Sequence, residues 1–460
     1  MQQPDMIKQY LETVKKQIRW RKAHPILLEE IENHIADQKN AFVNDGCDEE
    51  TALEKSIAEM GDAVAVGEAL DRTHRPKPDW WLLAITGAIL LVGIIFQLLV
   101  ETNQGKGELF VRQLVWAGIA VVAMIGAYFA DFTTIGRYPR IIYFSLGVLT
   151  VFSFFVGGTV NGASKYAIYP LLLYPAAYAG FIHSMRGKSY GGLVLCGIVF
   201  LVPALLALLV PSLTVLVLLS ISCLILLSGA ILKGIFNVRK PLALLIVFLS
   251  AAISIIFTIF VVLLNRGGYA FARLQVFLDP SWDPRAGYIG NVVQNLLSHS
   301  RFIGEGYPIN ELRSLSLLPG ASTDFIMVYL IYRFGWIIFM GIAVLFSAFV
   351  LRAIRLSGRQ QSNLGALVSR AVILTISIEI ILYIVANMGF LLFSPLSLPL
   401  ISYGGGALVV NMALIGLLLS VYRTGDLVKD KPENPRSLPN SFIQYEKGRI
   451  IINLTNRAAK

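Results

Sequence analysis

The stretch WWLLAITGAILLVGIIFQLLV, residues 80–100, runs for 21 residues without a formal charge. As a helix rising about 1.5 Å per residue it reaches roughly 30 Å, the thickness of a bilayer's hydrocarbon core. The pattern recurs along the chain. Further apolar runs of similar length occupy 111–130, 141–158, 166–184, 190–209, 211–232, 241–264, 323–350, 370–391 and 402–422, the fifth and sixth spans being divided only by VPSLT. With 55% hydrophobic residues and a mean hydropathy of +0.66, the composition excludes a chain of ordinary soluble domains. The expected fold class is all-α: a polytopic membrane protein with about ten transmembrane helices, preceded by a small soluble helical domain.

Charge is unevenly spread. Residues 1–79 hold 16 acids and 11 bases, and the remainder 13 acids and 28 bases, giving the net +10 of the whole chain. A basic excess can point to nucleic acid, but here the bases punctuate apolar segments, so no nucleic-acid partner is expected. Arg137 with Arg140, Arg186 with Lys188, Lys233 with Arg239 and Lys240, and Arg352, Arg355 and Arg359 fall in alternate loops. Positive loops stay inside, and an even number of spans then puts both termini in the cytoplasm of a cell-membrane protein. The long loop 265–322 falls on the outer side. Cys47, Cys196 and Cys223 are too scattered for a disulfide framework or a metal site. No cleavable leader is expected, because about 80 polar residues precede the first apolar run.

Residues 1–79 read as a cytoplasmic helical domain. PDMIKQYLETVKKQIRW and PILLEEIENHIADQKNAFV are amphipathic at helical period, and DEETALEKSIAEM opens with acids suited to a first turn. DEETALEKSIAEMGDAVAVGEALDR resembles the prefix domains that precede permease-like membrane regions, which implies a docking role toward a cytoplasmic partner; a solubilising cap is the alternative. Residues 80–423 form the membrane region, and 424–460 a polar, Pro-interrupted cytoplasmic tail, partly disordered.

Three stretches carry a second resemblance. FLDPSWDPRAGYIGNVVQNLL (277–297) is similar to an extracellular-loop pattern of Asp-Pro, Gly-Tyr and Gln; LPGASTDFI (318–326) to an LPE-x-x-TDFIF segment; and NMGFLLFSPLSLPLISYGGGALVVNMALIGLLL (387–419) to an LPFxSYGGSS ending. On these residues the region 85–423 is identified as a member of the SEDS family (shape, elongation, division and sporulation), which includes the FtsW, RodA and SpoVE proteins. The resemblance implies a peptidoglycan glycosyltransferase polymerising lipid II at the outer face of the membrane, working with a class B penicillin-binding protein. It also implies that Asp324 is the catalytic carboxylate.

Glycosyl transfer from a pyrophosphate donor needs a hydroxyl made nucleophilic and a stabilised departing diphosphate. A carboxylate at the acceptor hydroxyl serves as general base, and burial would raise its pKa toward a useful value. For Asp324 the alternative is a helix-start residue, since Ser322, Thr323 and Asp324 all suit an N-terminus. Cations for the diphosphate come from the outer-loop bases Lys165, Arg266, Arg273, Arg285 and Arg301, of which Lys165 and Arg273 lie in family-like stretches; Gln294 resembles the family's loop glutamine. Asp279 and Asp283 are candidates for a divalent ion, Mg or Mn, although Asp-Pro turns explain them equally. Ser402 and Tyr403 open SYGGGALVVN, whose glycines suit close helix packing.

Departures from the family pattern are concentrated. Its LPE becomes Leu318-Pro319-Gly320, its paired glutamates become Tyr332 and Arg333, and two further polar motifs become Leu173-Tyr174-Pro175-Ala176 and Val210-Pro211-Ser212-Leu213-Thr214. In a continuous eighth helix Arg333 lies eleven residues from Ser322, about 16 Å deep, and Glu379 enters the ninth to a similar depth. Intramembrane charges pair, so an Arg333–Glu379 contact is expected. Two other functions fit the pattern: a flippase for lipid-linked precursors, and a non-catalytic scaffold.

Overall fold

The computed structural model describes residues 3–75, 78–104, 108–156, 158–160, 163–164, 166–210, 212–264, 271, 274–275, 284–308, 318, 320–390, 392, 394–425, 443–446 and 449–452. It is overwhelmingly helical. Eight described helices are long and apolar enough to cross a bilayer, and the protein is a multi-pass membrane protein. The chain divides into two compact units, one comprising Met1–Phe132, Phe339–Gln361 and Tyr403–Val428, the other Thr133–Ile338, Ser362–Ser402 and Lys429–Lys460.

The first unit begins with α1 (Gln3–Gln17), α2 (His24–Asn44), α3 (Glu49–Glu59) and α4 (Ala63–His74). Val14, Ile18, Leu27, Ile31, Ile35 and Leu53 form their buried core. Asp48 and Asp62 cap α3 and α4, accepting from the Thr51 and Ala65 N–H groups at 3.1 and 3.0 Å. Glu49 and Glu50 occupy the first turn of α3, as its acidic start predicts. The membrane part of this unit contains α5 (Trp80–Gln104) and α6 (Glu108–Phe129). Asp79 starts α5: its Oδ1 accepts from Leu82 N–H at 2.8 Å, and Arg352 holds both carboxylate oxygens at 3.3 and 2.5 Å.

In the second unit α7 (Thr133–Arg137), α8 (Pro139–Val156) and the two-residue strands β1 (Thr159–Val160) and β2 (Ala163–Ser164) precede a departure from expectation. The span expected at 166–184 is two short pieces, α9 (Ile168–Leu172) and α10 (Tyr174–Ser184). Pro175 has no N–H to continue the first piece, and its fixed φ suits the start of the second. Tyr174 through Ile182 are all buried, so this segment faces protein and not lipid. Then follow α11 (Tyr190–Leu209), α12 (Leu213–Leu232), α13 (Lys240–Leu264) and α14 (Pro284–Ser298).

The span expected at 323–350 is also broken. It consists of α15 (Ile326–Phe334), buried from Ile326 to Tyr332, and α16 (Trp336–Gly358), most of which belongs to the first unit. Gly335 separates them at φ 94°, a conformation L-residues resist. A Cβ there would also strike the Phe302 carbonyl and come 2.8 Å from the Ile303 Cα. Beyond it, α17 (Asn363–Asn387) is the most enclosed span, with 67% of its apolar window buried, and packs against α10 and α12.

The first unit closes with α18 (Gly405–Thr424), packed along α6. Cβ atoms at Gly405 and Gly416 would run into the Trp116 ring and the Met124 carbonyl. At Gly405 that contact is what the SYGGG glycines were expected to permit. In the tail, β3 (Ile443–Glu446) and β4 (Arg449–Ile452) pair as an antiparallel hairpin.

Gly335→Ala should lower stability by more than about 2 kcal/mol, combining left-handed strain with a backbone clash. Gly341→Ala, in α16 with nothing within 4 Å of the new methyl, should be neutral or gain roughly 0.5–1 kcal/mol. Thermal unfolding of both variants in the same detergent checks the contrast.

Candidate functional site

The site is built on a turn, not a helix. Residues 320–325 are turn, and α15 begins only at Ile326, with Phe325 at its N-cap and no side-chain cap. The Gly320 carbonyl accepts from the N–H groups of Thr323 (3.0 Å) and Phe325 (2.9 Å). Gly320 sits at φ 73°, and a Cβ there would approach Thr323 Oγ1 to 2.9 Å. The glycine of LPG therefore suits the left-handed conformation of this turn. Asp324 lies within it, outside the eight spans, and neither caps α15 nor enters its first turn. Burial pushes its carboxyl up to about 6.

What holds the turn comes from α17. Asn387, fully buried, donates through Nδ2 to the Asp324 carbonyl at 3.0 Å and to the Tyr383 carbonyl at 3.1 Å. The Tyr383 hydroxyl accepts from Met327 N–H at 3.1 Å and hydrogen-bonds Ser402. The backbone is thus braced at the carbonyl of the Asp324–Phe325 peptide and at the Met327 N–H, three residues after Asp324. Glu379, Tyr383 and Asn387 are spaced four apart, so they share one face of α17. Glu379 is buried one turn below Tyr383. Tyr169, on α9, lies within the electrostatic reach of both Asp324 and Glu379; its phenol is pushed up by burial first, then by Tyr166 and these two carboxylates.

The other expected residues separate. Gln294, on α14, reaches Gly389: a Cβ at that φ 94° glycine would meet Gln294 Cγ at 3.0 Å, so the glutamine rests two residues beyond Asn387. Ser402 is buried and accepts from Leu398 N–H at 2.9 Å, while the next residue, Tyr403, is half-buried and belongs to the other unit. Arg301 stacks over the Tyr307 ring at 4.1 Å. Lys165, Arg266, Arg273, Asp279 and Asp283, and the side chain of Arg285, lie outside the described residues. Among the described residues no three His, Cys, Asp or Glu side chains gather to hold a metal.

One expected contact is corrected. Arg333 pairs with Glu305, not with Glu379. The depth estimate assumed a continuous helix from Ser322, whereas α15 ends at Phe334 and Gly335 turns the chain, which leaves Arg333 at the head of the span. Tyr332 also binds the loop, donating its hydroxyl to the Tyr307 carbonyl at 3.1 Å. The two positions where the family's glutamates are missing thus fasten segment 305–307 to α15.

Tyr169, Tyr383 and Asn387 escaped the sequence reading. A signal existed for two of them: a polar residue every fourth position in the apolar run IEIILYIVAN, ending at the Asn of NMG. Nothing local marks Tyr169.

The comparisons agree with this architecture. A profile of the family described as cell cycle protein, FTSW_RODA_SPOVE, matches residues 79–426. The probable peptidoglycan glycosyltransferase FtsW of Thioalkalivibrio sp. (strain K90mix) is 31% identical over 173 residues, 36% of this chain and 42% of that protein, so this match spans less than half of the relative. The FtsW of Trichlorobacter lovleyi, which carries the same name, is 24% identical over 359 residues, covering 75% of this chain and 92% of that one. A solved structure of a peptidoglycan synthase complex that couples polymerization and crosslinking superimposes with a TM-score of 0.62 at 19% identity, over 77% of this chain and 99% of that chain; this likeness concerns the fold alone. With a match across the whole membrane region, the chain belongs to the FtsW/RodA/SpoVE family of cell cycle proteins.

Proposed function

We propose that this protein is a peptidoglycan glycosyltransferase that polymerises lipid II at the outer face of the cytoplasmic membrane, with Asp324 as general base. The observation that carries the reading is a half-buried carboxylate on a turn braced by Asn387 and Tyr383, in a chain whose relatives are named for this activity. With its pKa raised to about 6, Asp324 is mostly ionised at neutral pH yet basic enough to accept a proton. It takes the proton of the acceptor sugar hydroxyl as that oxygen bonds to the donor C1. The bond from C1 to the diphosphate oxygen breaks, and the diphosphate leaves with the electron pair.

Lys165, Arg273 and Gln294 belong to the proposal as contacts for the head group, Ser402 and Tyr403 as contacts nearer the SYGG segment. A divalent cation, Mg or Mn, carried on the diphosphate is a further part of it. A class B penicillin-binding protein is the proposed crosslinking partner, in keeping with the synthase complex whose fold this chain shares. The prefix helices then face the cytoplasm, with the tail, and are free for a cytoplasmic partner there. The scaffold reading draws on the missing family acids, but Gly320, Tyr332 and Arg333 have structural duties that account for their identity.

Asp324→Ala should abolish glycan chains formed from lipid II by the purified protein, a loss of at least about 10²-fold. An inactive unmutated protein would remove the proposal, and a chelator added to the same assay reads out the cation. The rate should fall about tenfold per pH unit below about 6 as Asp324 protonates. A raised carboxylate pKa means that folding favours the protonated form, so the ionised residue opposes stability above that pH. Asp324→Asn should therefore raise stability at pH 8 by about 1–2 kcal/mol, allowing for solvent at the turn, and the gain should vanish at pH 4.

Orientation has a built-in reporter. Cys196 and Cys223 are buried and Cys47, in the turn between α2 and α3, is partly exposed. A membrane-impermeant maleimide should label Cys47 only after cells are opened; labelling of intact cells would reverse the topology.

A further inference from the structure

The segment Arg301–Tyr307 was expected as part of a water-exposed outer loop, yet it is fastened to the head of a membrane span. Gly304 and Gly306 N–H donate to the Phe334 and Tyr332 carbonyls at 3.0 and 2.8 Å, and Trp336 and Ile337 N–H donate to the Arg301 and Phe302 carbonyls at 3.1 Å each. The backbone at Phe302–Ile303 passes so close over Gly335 that a methyl group there has no room. The depth of this segment is therefore that of Trp336, the first residue of α16. That helix has 23 residues, about 34 Å at 1.5 Å per residue, which spans the hydrocarbon core with little to spare. Arg352 and Arg355 mark its opposite end, so Trp336 lies at a membrane boundary, where tryptophan is enriched.

At that level the segment turns its apolar side chains outward. Phe302 is 60% exposed, Ile303 64% and, beside them on α16, Ile337 44%. The Arg301 guanidinium, stacked on Tyr307, and the Arg333–Glu305 pair supply the charged and amphipathic groups that suit a head-group layer. Four backbone hydrogen bonds to the α15–α16 junction satisfy the Arg301 and Phe302 carbonyls and the Gly304 and Gly306 N–H groups, reducing the cost of bringing this chain toward lipid.

We propose that Phe302 and Ile303 form a bilayer-inserting tip, entering the acyl region at the level of Trp336. Because the same segment is bonded to α15 through Tyr332, Arg333 and Phe334, the tip sets the height of α15, and of the Asp324 turn that precedes it, relative to the membrane surface. The occupant is lipid of the leaflet at Trp336. A protein partner seated on the tip is the competing occupant.

The test uses the full chain with Cys47→Ser, in nanodiscs of phosphatidylethanolamine and phosphatidylglycerol. A nitroxide is placed through Phe302→Cys or, separately, Ile303→Cys, with Glu50→Cys in the prefix helices as the aqueous control. Power saturation should show more collisions with oxygen than with a nickel chelate at 302 and 303, and the reverse at 50. A chelate-dominated ratio at both tip positions overturns the proposal in favour of water. Low accessibility to both reagents overturns it in favour of a protein cover. Two positions keep the question open to an answer if one variant folds poorly. No step involves polymerisation, so the outcome is independent of the proposed activity.

Discussion

Asn387 places one amide between two backbone carbonyls, those of Asp324 and Tyr383, and this shared donor is the contact on which the site depends. A carboxylate inside a protein is expensive to ionise, and a turn rich in unpaired backbone groups is expensive to bury. Both costs fall at Asp324. The backbone cost is offset from one helix face, Asn387 satisfying the carbonyl of Asp324 and Tyr383 the Met327 N–H in the first turn of α15, while the carboxylate cost remains as the raised pKa. The turn is consequently held without calling on the Asp324 side chain.

The same economy explains the departures from the family pattern. Losing acids near Asp324 looks, in the sequence alone, like erosion. In the fold, Gly320 occupies a left-handed position, Tyr332 donates to the Tyr307 carbonyl, and Arg333 finds Glu305 in the same segment. These residues exchange side-chain charge near Asp324 for a tighter connection between α15 and segment 301–307.

Much of the fold was legible. The spans at 190–209 and 211–232 coincide with helices to within two residues at each end, because a bilayer admits few other solutions for such runs. The acidic start of α3 was readable from capping chemistry. The two failures, at 166–184 and 323–350, share a cause. Hydropathy measures how apolar a segment is, not what surrounds it: residues 174–182 and 326–332 are apolar and buried in protein, whereas the α16 part of the second span is largely exposed. The breaks were local, at Pro175 and Gly335, but only packing made them breaks and not kinks.

Composition and the lengths of the apolar runs determined by themselves that this is a polytopic membrane protein, while Asp324 became the chemical candidate through the resemblance carried by the TDFI and SYGG stretches. Those properties are local, set by transfer free energy and residue identity. The partner of Arg333, the brace from Tyr383 and Asn387, and the presence of Tyr169 beside two carboxylates were decided by tertiary structure. Each joins residues at least 28 positions apart, and their meeting depends on where helices end and turn, which no single segment encodes.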